Sequence, residues 1–280
     1  MAYTYRLYLL GRHLLIKLPE GLALLDPGRP FSSTTPIVDF FGEKEIGLIT
    51  WLDKTHEVNT GGVLPKPLTW ALPNKHLEKK FLERARSRRK KPSNTQDSPE
   101  SNSLEKTIEV YAVLGMDFLN NQNTLLYDLV NQTLNVGGEL PDGFLENSYE
   151  TDAAVDAPIF RLTLNGHSAR VLWDTSAGYG YVTDRKFVTE SRTRPGFKDS
   201  SDLFGDLDFT RSYELPFTLS GHDLVETVVE APEDLLGGVS PVSMRSFLRA
   251  LEIDVTIGNS WMPRVKVWLN PLDQTFAVAV

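Results

Sequence analysis

Apolar and polar residues follow one another along most of this chain in short runs of roughly four to eight, cut by turn signals, a pattern that predicts β-strands. Leu14-Leu-Ile-Lys-Leu is followed by Pro19-Glu-Gly and then by Leu22-Ala-Leu-Leu, which reads as a hairpin. The shape returns at Phe160-Arg-Leu-Thr-Leu, Asn165-Gly and Ala169-Arg-Val-Leu-Trp. Asn-Gly is a strong hairpin turn because both residues tolerate positive φ. Helical spacing occurs in two places. Residues 74–86 put Leu77, Phe81, Leu82 and Ala85 on one face with charges between them. Later, Ser240 offers a cap and Pro241 a first turn for a helix whose face carries Met244, Phe247, Leu248 and Leu251. Residues 87–107, SRRKKPSNTQDSPESNSLEKT, hold almost nothing that packs in a core and predict a mobile insertion. The basic cluster from Arg84 to Lys91 at its start could be a localisation or nucleic-acid patch, but reads more simply as a solvated helix end.

Composition narrows the class without naming an activity. The chain of 280 residues has 41% hydrophobic and 24% charged residues, ordinary for a globular protein. A formal net charge of −8 argues against general nucleic-acid binding. With no cysteine, disulfides, thiolate chemistry and cysteine metal sites are excluded, and a reducing compartment is favoured. Arg6, Arg12, His13 and Lys17 break the N-terminal apolar runs, so no signal peptide is expected there. No stretch approaches the roughly 20 apolar residues that a membrane helix needs. The expectation is a cytoplasmic protein with no membrane partner.

An internal repeat changes the picture. Each hairpin above ends in an aspartate followed by a turn of mostly small residues: LALLDPGRPFSST holds Asp26, and ARVLWDTSAGYGYVT holds Asp174. A matched element follows in each half. In the first it is Val113-Leu-Gly-Met-Asp-Phe-Leu, then Thr124-Leu-Leu-Tyr-Asp and Gln132-Thr-Leu-Asn-Val. In the second it is Thr256-Ile-Gly-Asn-Ser-Trp-Met, then Val265-Lys-Val-Trp-Leu and Gln274-Thr-Phe-Ala-Val. Gly115 follows Asp26 by 89 positions, and Gly258 follows Asp174 by 84.

A hydrophobic strand ending in Asp-Thr/Ser-Gly, then a hydrophobic-hydrophobic-Gly element and a strand pair, resembles the lobe pattern of pepsin-like and retroviral-type aspartic peptidases. That resemblance implies a mainly β, two-lobed acid-protease fold with a few short helices. The lobes would span 1–139 (with the insertion at about 87–107) and 140–280. It further implies that Asp26 and Asp174 form a proton-sharing dyad that activates a water, with no metal and no cofactor. Pro27, Gly28, Thr175 and Ser176 would support the two loops. Asn59, Thr60, Gly61 and Gly62 would make the tip of the flap. No tyrosine lies in that stretch, so the flap looks retroviral in type. The implied activity is an aspartic-type endopeptidase acting as a monomer on an extended peptide or protein between the lobes. Trp51 and Trp70 are assigned to core packing.

Three departures favour an alternative. Pro27 has neither the hydroxyl nor the N–H that the family uses at this position to clasp the opposite loop. Ser176 replaces a glycine, and Arg29 places a guanidinium near the expected dyad. The alternative is an inactive pseudo-peptidase that binds peptide or protein. Both carboxylates are present, and on that ground the sequence favours the enzyme. No His-Glu-x-x-His, Gly-x-Ser-x-Gly, P-loop or complete Gly-x-Gly-x-x-Gly occurs. Asp199, Asp202, Asp206 and Asp208 lack a calcium-loop pattern and read as a solvated loop.

Overall fold

The computed structural model describes residues 3–10, 13–26, 32–34, 46–59, 68–70, 106–108, 110–119, 123–152, 155–175, 177–201, 205–232 and 243–280. Two compact units make up the chain: Met1–Lys66 with Val110–Val280, and Pro67–Glu109. In the smaller unit, β7 (Leu68–Trp70) pairs antiparallel with β8 (Lys106–Ile108). The end of the expected mobile insertion is therefore a paired strand. The rest of that insertion, the basic cluster and the helix at 74–86 lie outside the described residues.

Among its described residues the larger unit is mainly β, with two lobes, two large sheets and a separate two-stranded hairpin. In the first half, β1 (Tyr3–Leu10), β2 (His13–Lys17) and β3 (Leu22–Leu25) form an antiparallel meander. Strand β3 then pairs in parallel with β9 (Ala112–Leu114), and β4 (Ser33–Thr34) pairs antiparallel with the other side of β9. The second half repeats this plan. Antiparallel β14 (Val155–Leu164) and β15 (His167–Trp173) turn at Asn165 and Gly166, whose φ values are 46° and 76°. Strand β15 pairs in parallel with β20 (Val255–Ile257), which pairs antiparallel with β16 (Gly180–Val182). Parallel strands inside such a crossing are covered on both faces, so continuous apolar sequence suits them. All of β3, β9 and β20 is buried.

The sheet of the second half continues through β19 (His222–Glu230), β18 (Gly205–Leu219) and β17 (Arg192–Ser201). Asp199 pairs there with Leu207 and Ser200 with Asp206. The solvated acidic loop expected around them is corrected to a long hairpin, which carries the pairing of Phe197 with Phe209 outward. Residues 202–204 lie outside the described residues.

The halves are stitched by their matched tail hairpins, β10 (Leu125–Asp128) with β11 (Thr133–Val136) and β21 (Lys266–Asn270) with β22 (Thr275–Ala279). Strands β10 and β21 lie side by side, antiparallel, from Leu125↔Leu269 to Asp128↔Lys266. Gln132 and Gln274, equivalent in the repeat, both take positive φ, at 57° and 51°. One apolar core draws on both halves, with Leu25, Leu114, Tyr127, Trp173, Ile257 and Val267 among its members. Another lies within the second half around Ile159, Tyr179, Tyr181, Phe209 and Leu248.

A short helix, α1 (Met116–Leu119), follows β9, and α2 (Met244–Ala250) precedes β20. The cap of α2 is Ser243, whose extended backbone lets its hydroxyl accept the Ser246 N–H at 3.1 Å. This corrects the expected cap at Ser240, which lies with Pro241 outside the described residues. Leu248 carries the buried face, while Phe247 is exposed.

Candidate functional site

Both aspartates sit where a buried strand runs off its parallel partner. The Asp26 N–H donates to the Leu114 carbonyl at 2.9 Å, one step beyond the β3–β9 ladder. The Asp174 N–H donates to the Ile257 carbonyl at 2.9 Å, one step beyond β15–β20. The backbones of the two residues are thus held in the same way, by the carbonyl that precedes the repeat glycine.

Each loop is braced by groups from the glycine segment, with different chemistry in the two halves. In the first, the Gly115 N–H donates to Ser32 Oγ at 2.8 Å. The Ser32 N–H and hydroxyl in turn donate to the Asp117 carboxylate, at 2.9, 3.0 and 2.6 Å. In the second, the fully buried Asn259 donates from Nδ2 to the carbonyls of Thr175 at 2.7 Å and Ala177 at 3.0 Å. A Cβ on Gly258 would stand 2.6 Å from both Ala177 O and Tyr179 N, so only glycine lets the segments approach this closely. Glu226, also fully buried, accepts the Thr227 N–H at 2.8 Å and the Ser260 hydroxyl, which fixes the residue after Asn259.

The side chain of Thr175 joins the two loops. Thr175 is fully buried, and its hydroxyl donates to the Leu25 carbonyl at 3.1 Å. A residue just after one aspartate is therefore bonded to the residue just before the other. Two crossed strand motifs, joined at their aspartate loops and backed by a shared sheet, decide the architecture. The fold is pepsin-like. In this pepsin-like fold the clasp comes from Thr175; the equivalent position in the first loop is Pro27, which has no hydroxyl or N–H to return it.

No protein-family model and no curated protein matches the sequence. Among solved structures the chain is similar to basic 7S globulin from soybean, with 10% identity, a TM-score of 0.41, and coverage of 99% of this chain and 94% of that chain. It is also similar to conglutin gamma, a unique basic 7S globulin from lupine seeds, with 9% identity, a TM-score of 0.45 and the same coverages of 99% and 94%.

The expectation of a working aspartic-type endopeptidase is corrected. Position 27 of the first loop is a proline, which lacks the hydroxyl and N–H that would make the second half of the clasp. No group of three or more histidine, aspartate or glutamate side chains among the described residues could hold a metal ion. Among the described residues, no helix is long and apolar enough to cross a membrane. Pro27, Gly28, Arg29 and Ser176 lie outside the described residues.

Of the expected flap tip, Asn59 ends β6 (Lys54–Asn59), paired with Ile46 of β5 (Ile46–Trp51); Thr60, Gly61 and Gly62 lie outside the described residues. The turn of this hairpin is Leu52-Asp53, with φ of 51° and 60°. Tyr5 pins it, its hydroxyl accepting the Leu52 N–H at 2.8 Å and its ring stacking on Trp51 at 4.7 Å. Trp51 is buried, as its assignment to the core requires.

The braces at Ser32, Asp117, Asn259 and Glu226 were not singled out from sequence. The repeat carries a signal for two of them, since Asp117 and Asn259 each follow the landmark glycine within two positions. Glu226 carries none, because its glutamate alternates with surface residues along β19.

Proposed function

We propose that the protein is a catalytically silent pepsin-like module that binds an extended peptide or protein segment between lobes spanning about 1–139 and 140–280. The observation that carries this reading is the one-way clasp: Thr175 reaches Leu25, and proline at position 27 has nothing to send back. A proton-sharing dyad needs both carboxylates held in fixed relation, and small misplacements cost rate steeply. Binding needs less. Extended peptides pair through their backbone, and the loops still offer acceptors to peptide N–H groups. In this reading Asp26 and Asp174 are such acceptors at the floor of the cleft. Gly28, Thr175 and Ser176 shape the loops, and Asn59 to Gly62 border the entrance. The absence of cysteine favours a reducing, cytoplasmic setting, with the chain acting as a monomer.

The test is a titration of extended peptides, with the mixtures also checked for cleavage products by mass spectrometry. Saturable binding without products is expected, and Thr175→Val should weaken it by about tenfold through loss of the clasp. Absence of binding to every peptide, or peptides cut in proportion to enzyme, would sink the proposal.

A further inference from the structure

A cavity of about 390 Å³ lies on the second half, and neither aspartate lines it. Its walls are the β14–β15 hairpin, the turn that follows β16, and the C-terminal end of α2. Four cations line it: Arg161, Arg170, Lys186 and Arg249. Arg161 and Arg170 stand directly opposite each other in the strand register, an arrangement that like charges disfavour unless something negative lies near.

The question is how much of this charge is already matched. Arg161 makes a bidentate pair with Glu150. Arg170 gives one guanidinium nitrogen to the Leu251 and Glu252 carbonyls at 3.1 and 3.4 Å, closing the end of α2. Its buried Nε stands 3.5 Å from Glu150 Oε2, without hydrogen-bond geometry. Among the described residues, Arg249 makes a 3.4 Å contact to the Thr183 carbonyl, and Lys186 rests over the Phe187 ring at 4.7 Å. Neither has a carboxylate partner among the described ion pairs. Three carboxylates share the lining: Asp184, Glu252 and Asp254. Asp254 accepts the Arg170 N–H at 3.0 Å, and Asp184 accepts the Lys186 N–H at 2.9 Å. Glu252 points to solvent, with 85% of its side chain exposed, and is only loosely paired with Arg170 at 3.6 Å.

We infer that this cavity binds a phosphate group, held between Lys186 and Arg249 with Ser168 as a further hydroxyl donor. Two unmatched cations suit a group carrying nearly two negative charges better than a single carboxylate. The guanidinium supplies a planar fork and the ammonium a point charge, the usual division of labour around phosphate. The site is independent of the peptide-binding reading.

The experiment is an NMR or calorimetric titration with three probes: inorganic phosphate, O-phosphoserine and a phosphoserine peptide, with acetate as a singly charged control. Saturable binding of the phosphate probes is expected, tighter than acetate and weakened by added salt. Similar affinities for all three would assign a free-anion site; a clear preference for the peptide would assign a phosphorylated partner. Lys186→Gln and Arg249→Gln should each weaken binding by about tenfold or more, since each removes a charge-assisted contact. Arg192→Gln, on β17 outside the cavity, should change nothing. No saturable phosphate binding, or equal weakening by Arg192→Gln, would overturn the assignment.

Discussion

At the scale of single residues, the junction works through close approach and the hydrogen bond from Thr175 to Leu25. Gly258 is the sharpest case. A methyl group there meets backbone atoms, Ala177 O and Tyr179 N, and not a flexible side chain that could move aside. Gly258→Ala should therefore destabilise the protein by about 1–3 kcal/mol, read as a lower denaturant midpoint with an unchanged slope. A midpoint equal to the wild type would mean that the loops can part without cost. This glycine was legible in the sequence because the repeat places it beside Gly115. Its brace Asn259 was not, since a single Asn after a Gly reads as an ordinary turn residue until Thr175 and Ala177 are seen to offer their carbonyls. Thr175 was legible as a support, but its partner, the Leu25 carbonyl 150 positions away, belongs to the tertiary fold alone.

At the scale of elements, the tail hairpins carry the link between the halves, and an ion pair between a buried aspartate and a partly exposed lysine reports on it. Asp128 at the end of β10 faces Lys266 at the start of β21, with Nζ 3.1 Å from Oδ2. Burial alone would raise its pKa, but the Asn131 N–H and side-chain amide, together with Lys266, outweigh burial and lower it. A carboxyl with a lowered folded pKa contributes stability above the unfolded carboxylate range, and that contribution is lost as pH falls through the folded pKa. Stability should therefore decline on acidification from about pH 5 downward, and Asp128→Asn should flatten part of that decline. Parallel acid-unfolding curves for variant and wild type would exclude this pair as a contributor. The matched tail hairpins themselves were readable from Gln132 and Gln274, which open equivalent strands. The flap was less so. Asn-Thr-Gly-Gly is a strong turn composition, yet the described hairpin turns at Leu52-Asp53, where Tyr5 and Trp51 fix it from β1, a contact no local pattern announces.

At the scale of the whole molecule, duplication made the architecture legible. Neither aspartate would have meant much alone, but two hairpins, two glycine strands and two tail hairpins in the same order require two crossed motifs, and the larger unit contains them. Activity was less legible, because it depends on a proline whose effect is felt across the junction. The sequence favoured an enzyme on the strength of two retained carboxylates; the one-way clasp favours a binding module. The most direct measurement is digestion of a denatured protein mixture from about pH 3 to about pH 7, with wild type, Asp26→Asn, Asp174→Asn and Pro27→Thr side by side. A silent module should yield no new peptide termini from wild type at any pH, and no difference between it and the two asparagine variants. Termini that appear with wild type, vanish in both asparagine variants and increase with Pro27→Thr would contradict the account.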